Sequence, residues 1–595
     1  MRASSIFQYC KHAYLLLRFH QLEQFFFRAL IRLTTPFKYH WHLKLQRERL
    51  VASYSTRKII PSLIDYKKNI IPLTLCNPKF SPTSLNDLIA IPNSKLAEFE
   101  LHSHRNVLKE PDFFLSWRLI LDWITQFPFS TRRSYQVGWH PYVISKRVQH
   151  WLALWVLSPP PEKDRQKILQ SLFFQISWLE SNLERDIKGN HLWENAQALI
   201  LGGSFFEGAT ADRWLKNGIV LIKKCLKKQL LPWGEHFEKS PSYHLELTHG
   251  LSFLGPWLEK IEGYQTEANH LKERAKKMLN FACEISHPNG LLPFFNDSWK
   301  MEAPHSEHFL QSWIGDYFIS RQKDLFLIFD AGNLGPDALP AHSHCDLLTF
   351  EMSVGDRPVF INSGTFSYQG VKRELYRSSP AHNVLVLNRK NSADIWSNFR
   401  MGRRGHVLNR EKLKTAHGVW TWASHNGYSF LDGATVIRGW FISTTPSFVC
   451  SFHCVTPSQK INHLQEFIHL DPGVEILKTL EPRPAQILNR SLLLKTGSLH
   501  SHFGTLGASH QITLEDTMFS PHFNTEIPNK TISILSEAHQ RPLGTSEPLY
   551  LATAWYCTLQ NNFSNISLEL KEKTIKLSWE YQTRLFSTEL QISIS

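Results

Sequence analysis

The chain has 595 residues, of which 42% are hydrophobic and 20% charged, and it carries a formal net charge of +14. That length exceeds one ordinary hydrophobic core and predicts two or more domains, with the composition of a soluble globular protein. The positive surplus favours an anionic partner: nucleic acid, acidic polysaccharide or anionic lipid. The basic residues are scattered and no nucleic-acid motif is present, so a nucleic-acid partner is not expected.

Residues 1–95 read as an N-terminal extension, partly helical. Its apolar patches YLLLRF and FFFRALI are interrupted by Arg18, His20, Glu23 and Arg28. None reaches the ~18 apolar residues of a membrane span, and no signal peptide with a clean apolar region and cleavage site is readable. The pattern is that of an amphipathic, core-packing helix, with a basic membrane-surface helix as the alternative. NPKFSPTSLND at 77–87 reads as a loop.

From about 110 to 320 the pattern is helical. Ile168, Leu172, Ile176, Leu179 and Leu183 form one stripe of an amphipathic helix. Residues 195–206, 214–230 and 271–285 read similarly, joined by short Gly/Pro loops. Successive helices of this kind suit an α-solenoid or an (α/α) toroid. Near residue 322 the period changes: DLFLIFDAG reads as a strand, and hairpin patterns such as ISLELKEKTIKLSWEYQ (566–582) recur to the end. The expected fold is therefore α+β and multidomain, with helical hairpins at 96–320 and an antiparallel β-sandwich at 321–595.

The eight cysteines include no CxxC pair, so neither a zinc ribbon nor a thioredoxin motif is supported. Cys450 and Cys454 are near in sequence, but nothing demands a disulfide. The 19 Trp residues read mainly as core.

Chemistry concentrates at 337–388. His342 and His344 precede alternating apolar residues at Leu348, Phe350, Met352 and Val354, then a Gly355–Asp356 turn, then Val359 and Ile361. That is a β-hairpin pattern. A strand beginning at His342 would point both imidazoles to one face. His382 precedes another apolar strand at 384–387. Three imidazoles gathered by a sheet suit proton transfer or metal ligation. The helical half adds three patches: GNHLWENAQALILGGSFF, with Asn190 and His191 at a helix start; WGEHFEKSPSYHLEL, with Glu238 and Tyr243; and GWHPYVISKRVQHWL, with Arg147 among aromatics.

Together with HSHCD and SSPAHN, these patches make the chain resemble the heparinase II/III superfamily of polysaccharide lyases over roughly residues 110–400. Its alginate-lyase-like and heparin-lyase branches are the nearest in kind. The resemblance implies an N-terminal (α/α) toroid followed by a β-sandwich, and cleavage of uronic-acid polysaccharide by β-elimination. Such an enzyme removes the proton beside a uronate carboxylate, so a neutral donor must stabilise the enolate-like charge that develops there. By resemblance Asn190 is that neutraliser, with His191 as a second donor. His342 is the base, since a free imidazole with pKa near 6.5 is available at neutral pH. Tyr243 is the acid for the leaving 4-oxygen; in some members this Tyr is both base and acid. Arg147 is a candidate carboxylate clamp, with a helix-packing role as the alternative. Glu238 is a candidate substrate-side or supporting residue.

Some members also hold a structural zinc. Its ligands here would be His344, position 362 and His382, but Asn362 stands where the family usually has Asp, and an amide oxygen is the weaker ligand. The implied partner is an acidic polysaccharide, and the implied location the periplasm or envelope; the unreadable signal peptide leaves the cytoplasm open. The rival readings are a non-catalytic polysaccharide-binding protein on the same scaffold and a metal-dependent hydrolase built on the three histidines. The polymer, endo or exo mode and oligomeric state are not legible.

Overall fold

A computed structural model describes residues 18, 22–34, 55–56, 95–108, 112–129, 137–444, 447–480, 491–506, 510–537, 549–559 and 563–592. The expected loop at 77–87 lies outside them. The chain forms two compact units, Leu17–Glu238 with Tyr243–Phe281, and Ala282–Ser595 with Lys239–Ser242.

The first unit is helical. Its main helices are Phe113–Gln126, Pro141–Leu157, Glu162–Ser181, Gly189–Phe205, Ala209–Gln229, Pro241–Glu259 and Gln265–Ile285. Local chemistry sets several starts. Asp112 caps the first of these, its carboxylate accepting from the Phe114 N–H at 2.9 Å. Pro141 opens the next at a position where a missing N–H costs nothing. The stripe Ile168, Leu172, Ile176 and Leu179 is buried in Glu162–Ser181 as its spacing predicts. Gly189–Phe205 is buried almost all round, and glycine lets its neighbour approach. A Cβ on Gly203 would stand 2.4 Å from the Leu215 backbone N, and one on Gly218 2.9 Å from the Ile200 N. Trp117, Trp123, Trp151, Trp193 and Trp214 fill this core.

Residues 22–34 are helical as well. Gln24 is buried, while Leu22, Phe26, Leu30 and Leu33, at spacings of four, four and three, are exposed on one face. The apolar stripe thus faces away from the packing that Gln24, Glu23 and Arg28 make with Asp186 and Lys188. This corrects the core-packing expectation for that stripe. Among the described residues no helix is long and apolar enough to cross a membrane.

The second unit is antiparallel throughout its main sheets. Among the described residues, one sheet runs Leu310–Ile314, Tyr317–Arg321, Leu325–Asp330, Phe350–Val354 and Arg357–Phe360 in sequence order. The hairpin turn falls at Gly355–Asp356, as expected. An eight-stranded sheet has Ala434–Thr444 and Ser447–Val455 near its middle. Alternation sorts its side chains: Trp440, Ile442 and Val449 join a core with Phe350 and Ile532, whereas Phe441, Phe448 and Phe452 join one with Leu577 and Trp579 of the C-terminal hairpin. Cys450 and Cys454 lie on one strand with free thiols.

One ion pair ties the layers. Arg438, fully buried, donates to Glu466 Oε1 at 3.0 Å and to the carbonyls of Asn383 at 2.6 Å and Leu348 at 3.2 Å. Glu466 also accepts from Thr553 at 2.6 Å and Trp555 at 2.9 Å. Burial pushes its carboxyl up, but His453, Arg438 and Thr553 more than offset this and hold it at about 2. Its unfolded value is near 4.5, so the pair's stabilisation is present above that pH and is lost as pH falls through about 2. Glu466→Ala leaves a buried guanidinium without a counter-charge and is expected to cost about 3–5 kcal/mol. Calorimetric unfolding at pH 7 checks this; a loss under about 1 kcal/mol would contradict it.

Candidate functional site

In the helical unit, Lys188 and Gly189 adopt positive φ of 63° and 57°, and the helix starts at Gly189. Asn190 is therefore inside the first turn rather than at the cap. Its backbone N–H donates to Glu238 Oε1 at 2.7 Å, so Glu238 serves as anchor of this helix start. The Asn190 side-chain amide, on a residue only 3% exposed, makes no hydrogen bond among the described residues. His191 Nδ1 bonds Glu184 Oε1 at 2.7 Å, and its ring stacks on Tyr142 at 4.3 Å. Burial lowers the basicity of His191, but the charge and hydrogen bond of Glu184 outweigh it and hold the imidazole above its ordinary range. Tyr243 is buried in the first turns of Pro241–Glu259.

Beneath these groups, Arg105 bonds Glu246 at 2.8 Å, and Lys146 bridges Glu194 at 3.0 Å and Glu246 at 3.6 Å. Arg147 belongs to packing. It is fully buried, donates to Gln175 Oε1 and the His102 carbonyl, each at 2.7 Å, and lies 4.0 Å over the Trp123 ring. The clamp expectation is corrected: a guanidinium sealed this way has no face for a substrate carboxylate.

In the second unit, His342 and His344 lie in a loop; the strand begins only at Phe350. The reason is local. Cys345 and Leu347 turn into a separate small core with Leu334 and Met401, and Leu348 takes a left-handed φ of 63°. Period-2 alternation therefore does not aim the two imidazoles. Asp297 does. Its Oδ2 accepts from His342 Nδ1 at 2.8 Å and its Oδ1 from His344 Nε2 at 2.8 Å. Arg373 bonds both oxygens, the second at 2.9 Å. The backbones are laced too: Asp297 N–H donates to the His342 carbonyl at 3.1 Å, and His344 N–H to Asn296 Oδ1 at 3.0 Å. Burial pushes the Asp297 carboxyl up, but Arg373 and the two imidazoles hold it well below the carboxylate range.

The three residues expected around a zinc do meet. His344 Nδ1 stands 3.2 Å from His382 Nε2, and His382 Nδ1 3.0 Å from Asn362 Oδ1. Asn362 and His344 thus contact opposite nitrogens of the His382 ring. One ion cannot take all three donors in that arrangement. The Asn362 oxygen is neutral and already accepts from Thr349 at 2.8 Å and the Asn383 N–H at 3.3 Å, and Arg373 and Arg377 are buried nearby. The donor set does not fit a resident zinc. Among the described residues no group of three His, Cys, Asp or Glu side chains is arranged to hold a metal.

Asp297 and Arg373 were not singled out in the sequence. The Asn–Asp pair of FFNDSW, an acid in an aromatic run, is the signal that marks the first; no pattern marks the second.

The comparisons agree with this fold. The family model described as heparinase II/III N-terminus matches residues 108–325, and that described as heparinase II/III-like, C-terminal, matches 307–580. The chain belongs to the heparinase II/III superfamily. It is 23% identical over 365 residues to a heparin-sulfate lyase of Bacteroides stercoris, covering 49% of this chain and 54% of that protein. It is 27% identical over 319 residues to one of Pedobacter heparinus, covering 45% and 47%. The alignments thus span about half the length of these curated relatives. A heparinase III crystal structure matches 93% of this chain and 96% of its own with a TM-score of 0.65 at 14% identity. A mutant heparan sulfate lyase from Pedobacter heparinus gives 0.59, with 93% and 94% covered, also at 14% identity. The helical unit is of the (α/α)-toroid kind and the second unit a β-sandwich, as the resemblance implied.

Asp330 and Asp346 are two buried carboxyl groups of the second unit. Burial and then Asp330 push the Asp346 carboxyl up to about 7. Asp330 rises to about 6 through burial, aided by Asp316 and partly offset by Lys239, the Gly332 N–H and Arg410. From an ordinary 3.8, a raised carboxyl gives stability that is full below that value and is lost as pH rises through about 6. Asp330→Asn is expected to raise Tm at pH 8 by about 2–4 °C and to flatten the decline between pH 5 and 8. Calorimetry at the two pH values checks it; an unchanged slope would contradict the assignment.

Proposed function

We propose that the protein is a polysaccharide lyase that cleaves a uronic-acid-containing acidic polysaccharide by β-elimination, with a heparan-sulfate-type glycosaminoglycan as the first candidate. The observation that carries the reading is the Asn190 side-chain amide, which belongs to a residue only 3% exposed and makes no hydrogen bond among the described residues. An amide whose N–H groups have no protein acceptor is open to donate to an anion. Superfamily membership and the similarity to two heparin-sulfate lyases support the class and the substrate.

In this reading Asn190, helped by His191, neutralises the uronate carboxylate. His342 removes the proton on the adjacent carbon. The electron pair left behind forms the new carbon–carbon double bond, and the bond to the 4-oxygen breaks. Tyr243 protonates that oxygen. Glu238 acts by holding the Asn190 turn. The proposal extends to an envelope location, where the exposed Leu22, Phe26, Leu30 and Leu33 stripe would meet a surface.

Purified protein is expected to raise the absorbance of heparan sulfate at roughly 230 nm, the signature of the conjugated double bond. Heparin, chondroitin sulfate, hyaluronan and alginate serve as the comparison panel. Tyr243→Phe is expected to lower kcat by roughly 10²–10⁴-fold while binding stays within about threefold. Binding without turnover of any polymer by the wild type would favour the non-catalytic scaffold instead.

A further inference from the structure

We infer that Asp297 is the positioning residue of His342, and that the Arg373 guanidinium, rather than a metal ion, is the charge that holds Asp297 in that role. The inference rests on the reading of His342 as base and adds to it the residues that make it one.

The chemistry follows from the contacts. A carboxylate only accepts hydrogen bonds. His342 Nδ1 at 2.8 Å and His344 Nε2 at 2.8 Å therefore both carry protons. For neutral His342 this places the lone pair on Nε2, the nitrogen that takes the substrate proton. When His342 becomes an imidazolium, Asp297 stabilises the new charge at hydrogen-bond distance.

Asp297 stays anionic because of what surrounds it. It is fully buried, and an unpaired carboxylate there would take a proton instead. Arg373, equally buried, bonds both of its oxygens. The guanidinium is itself fixed. It donates to the Asn398 carbonyl at 2.8 Å and the Ala341 carbonyl at 3.0 Å, and lies 4.8 Å from the Tyr368 ring centre. Ala341 immediately precedes His342, so Arg373 holds the base's backbone as well as its carboxylate partner. Asn296, at a left-handed φ of 54°, turns the chain so that Asp297 meets this loop.

His344 has a different part. One of its nitrogens is bound to Asp297 and the other faces His382, so it braces the carboxylate from the side opposite His342. A metal ion has no convergent place in this arrangement, and the positive charge the site needs is already supplied by Arg373.

The test is Asp297→Asn, nearly isosteric but neutral. Heparan sulfate kcat is expected to fall roughly 10²–10⁴-fold with KM within about threefold, as for loss of a carboxylate that fixes a catalytic imidazole's tautomer. Loss in KM alone, or less than a tenfold fall in kcat, would overturn the role. Asp297→Asn leaves the buried Arg373 without its counter-charge and is at risk of misfolding, so the second measurement uses the wild type. In protein carrying ¹⁵N-histidine, with the His342 signals assigned by His342→Ala, neutral His342 is expected to be protonated at Nδ1. Protonation at Nε2 would overturn the proposal whatever the assays give. If the wild type cleaves no polymer, the lyase reading fails, while the tautomer still decides the Asp297 contact. Dialysis against a chelator is expected to leave kcat and Tm unchanged; a loss restored by zinc would overturn the assignment of the charge to Arg373.

Discussion

A carboxylate removed from water remains an anion only where neighbours replace the hydrogen bonds and the charge that water supplied. Asp297 meets that constraint with two imidazole N–H groups and one guanidinium, and meeting it organises the surrounding chain. The loop holding His342 and His344 must cross the Asn296–Asp297 turn closely enough for a backbone N–H to donate in each direction. Helix Gly370–Arg377 must present a cation inward. The strands that follow can then start where the loop releases them.

That helix explains much of what the sequence conceals. Its buried residues are Arg373, Tyr376 and Arg377, while Val371 and Leu375 are exposed. It is amphipathic with the usual faces exchanged, so a search for apolar periodicity reads its outside as its inside. The same limit hides Asp297, whose role depends on partners 45, 47 and 76 residues away. By contrast, the Ile168–Leu179 stripe and the hairpin at Gly355–Asp356 are legible because burial alone decides them. Their apolar spacing is the cause of their structure, and spacing is what a sequence displays.

The His-x-His segment lies between these cases. Its gathering with His382 was legible, but the strand proposed to gather it was not the cause. Alternation from Leu348 onward belongs to a real strand only from Phe350. Before that, Cys345 and Leu347 answer to another core. A pattern can therefore be right about which residues meet while being wrong about the element that brings them together. Asn362 illustrates the converse. The departure from Asp was visible in the sequence, and its meaning lies in how the amide is used: it accepts from Thr349 and donates to Glu351 at 3.0 Å. An Asp there would place a second carboxylate against Glu351, which already accepts from the Phe294 and Asn362 N–H groups.

Charge in the helical unit follows the same economy of pairing. Arg105 and Lys146 are buried, but each already faces a glutamate, Glu246 or Glu194. Their charges are compensated locally and supply little field to a passing anion. The net charge of +14 must then act from the surface, where it is screened beyond a Debye length of about 8–10 Å and raises encounter rates more than it selects a bond. In the proposed reading, recognition at the reacting carboxylate falls to groups that are neutral or titratable, the Asn190 amide and the His191 ring. This division suits the proposed chemistry. A permanently paired cation would bind the substrate carboxylate about equally before and during reaction, whereas a short-range donor gains most when negative charge accumulates on the oxygen it faces.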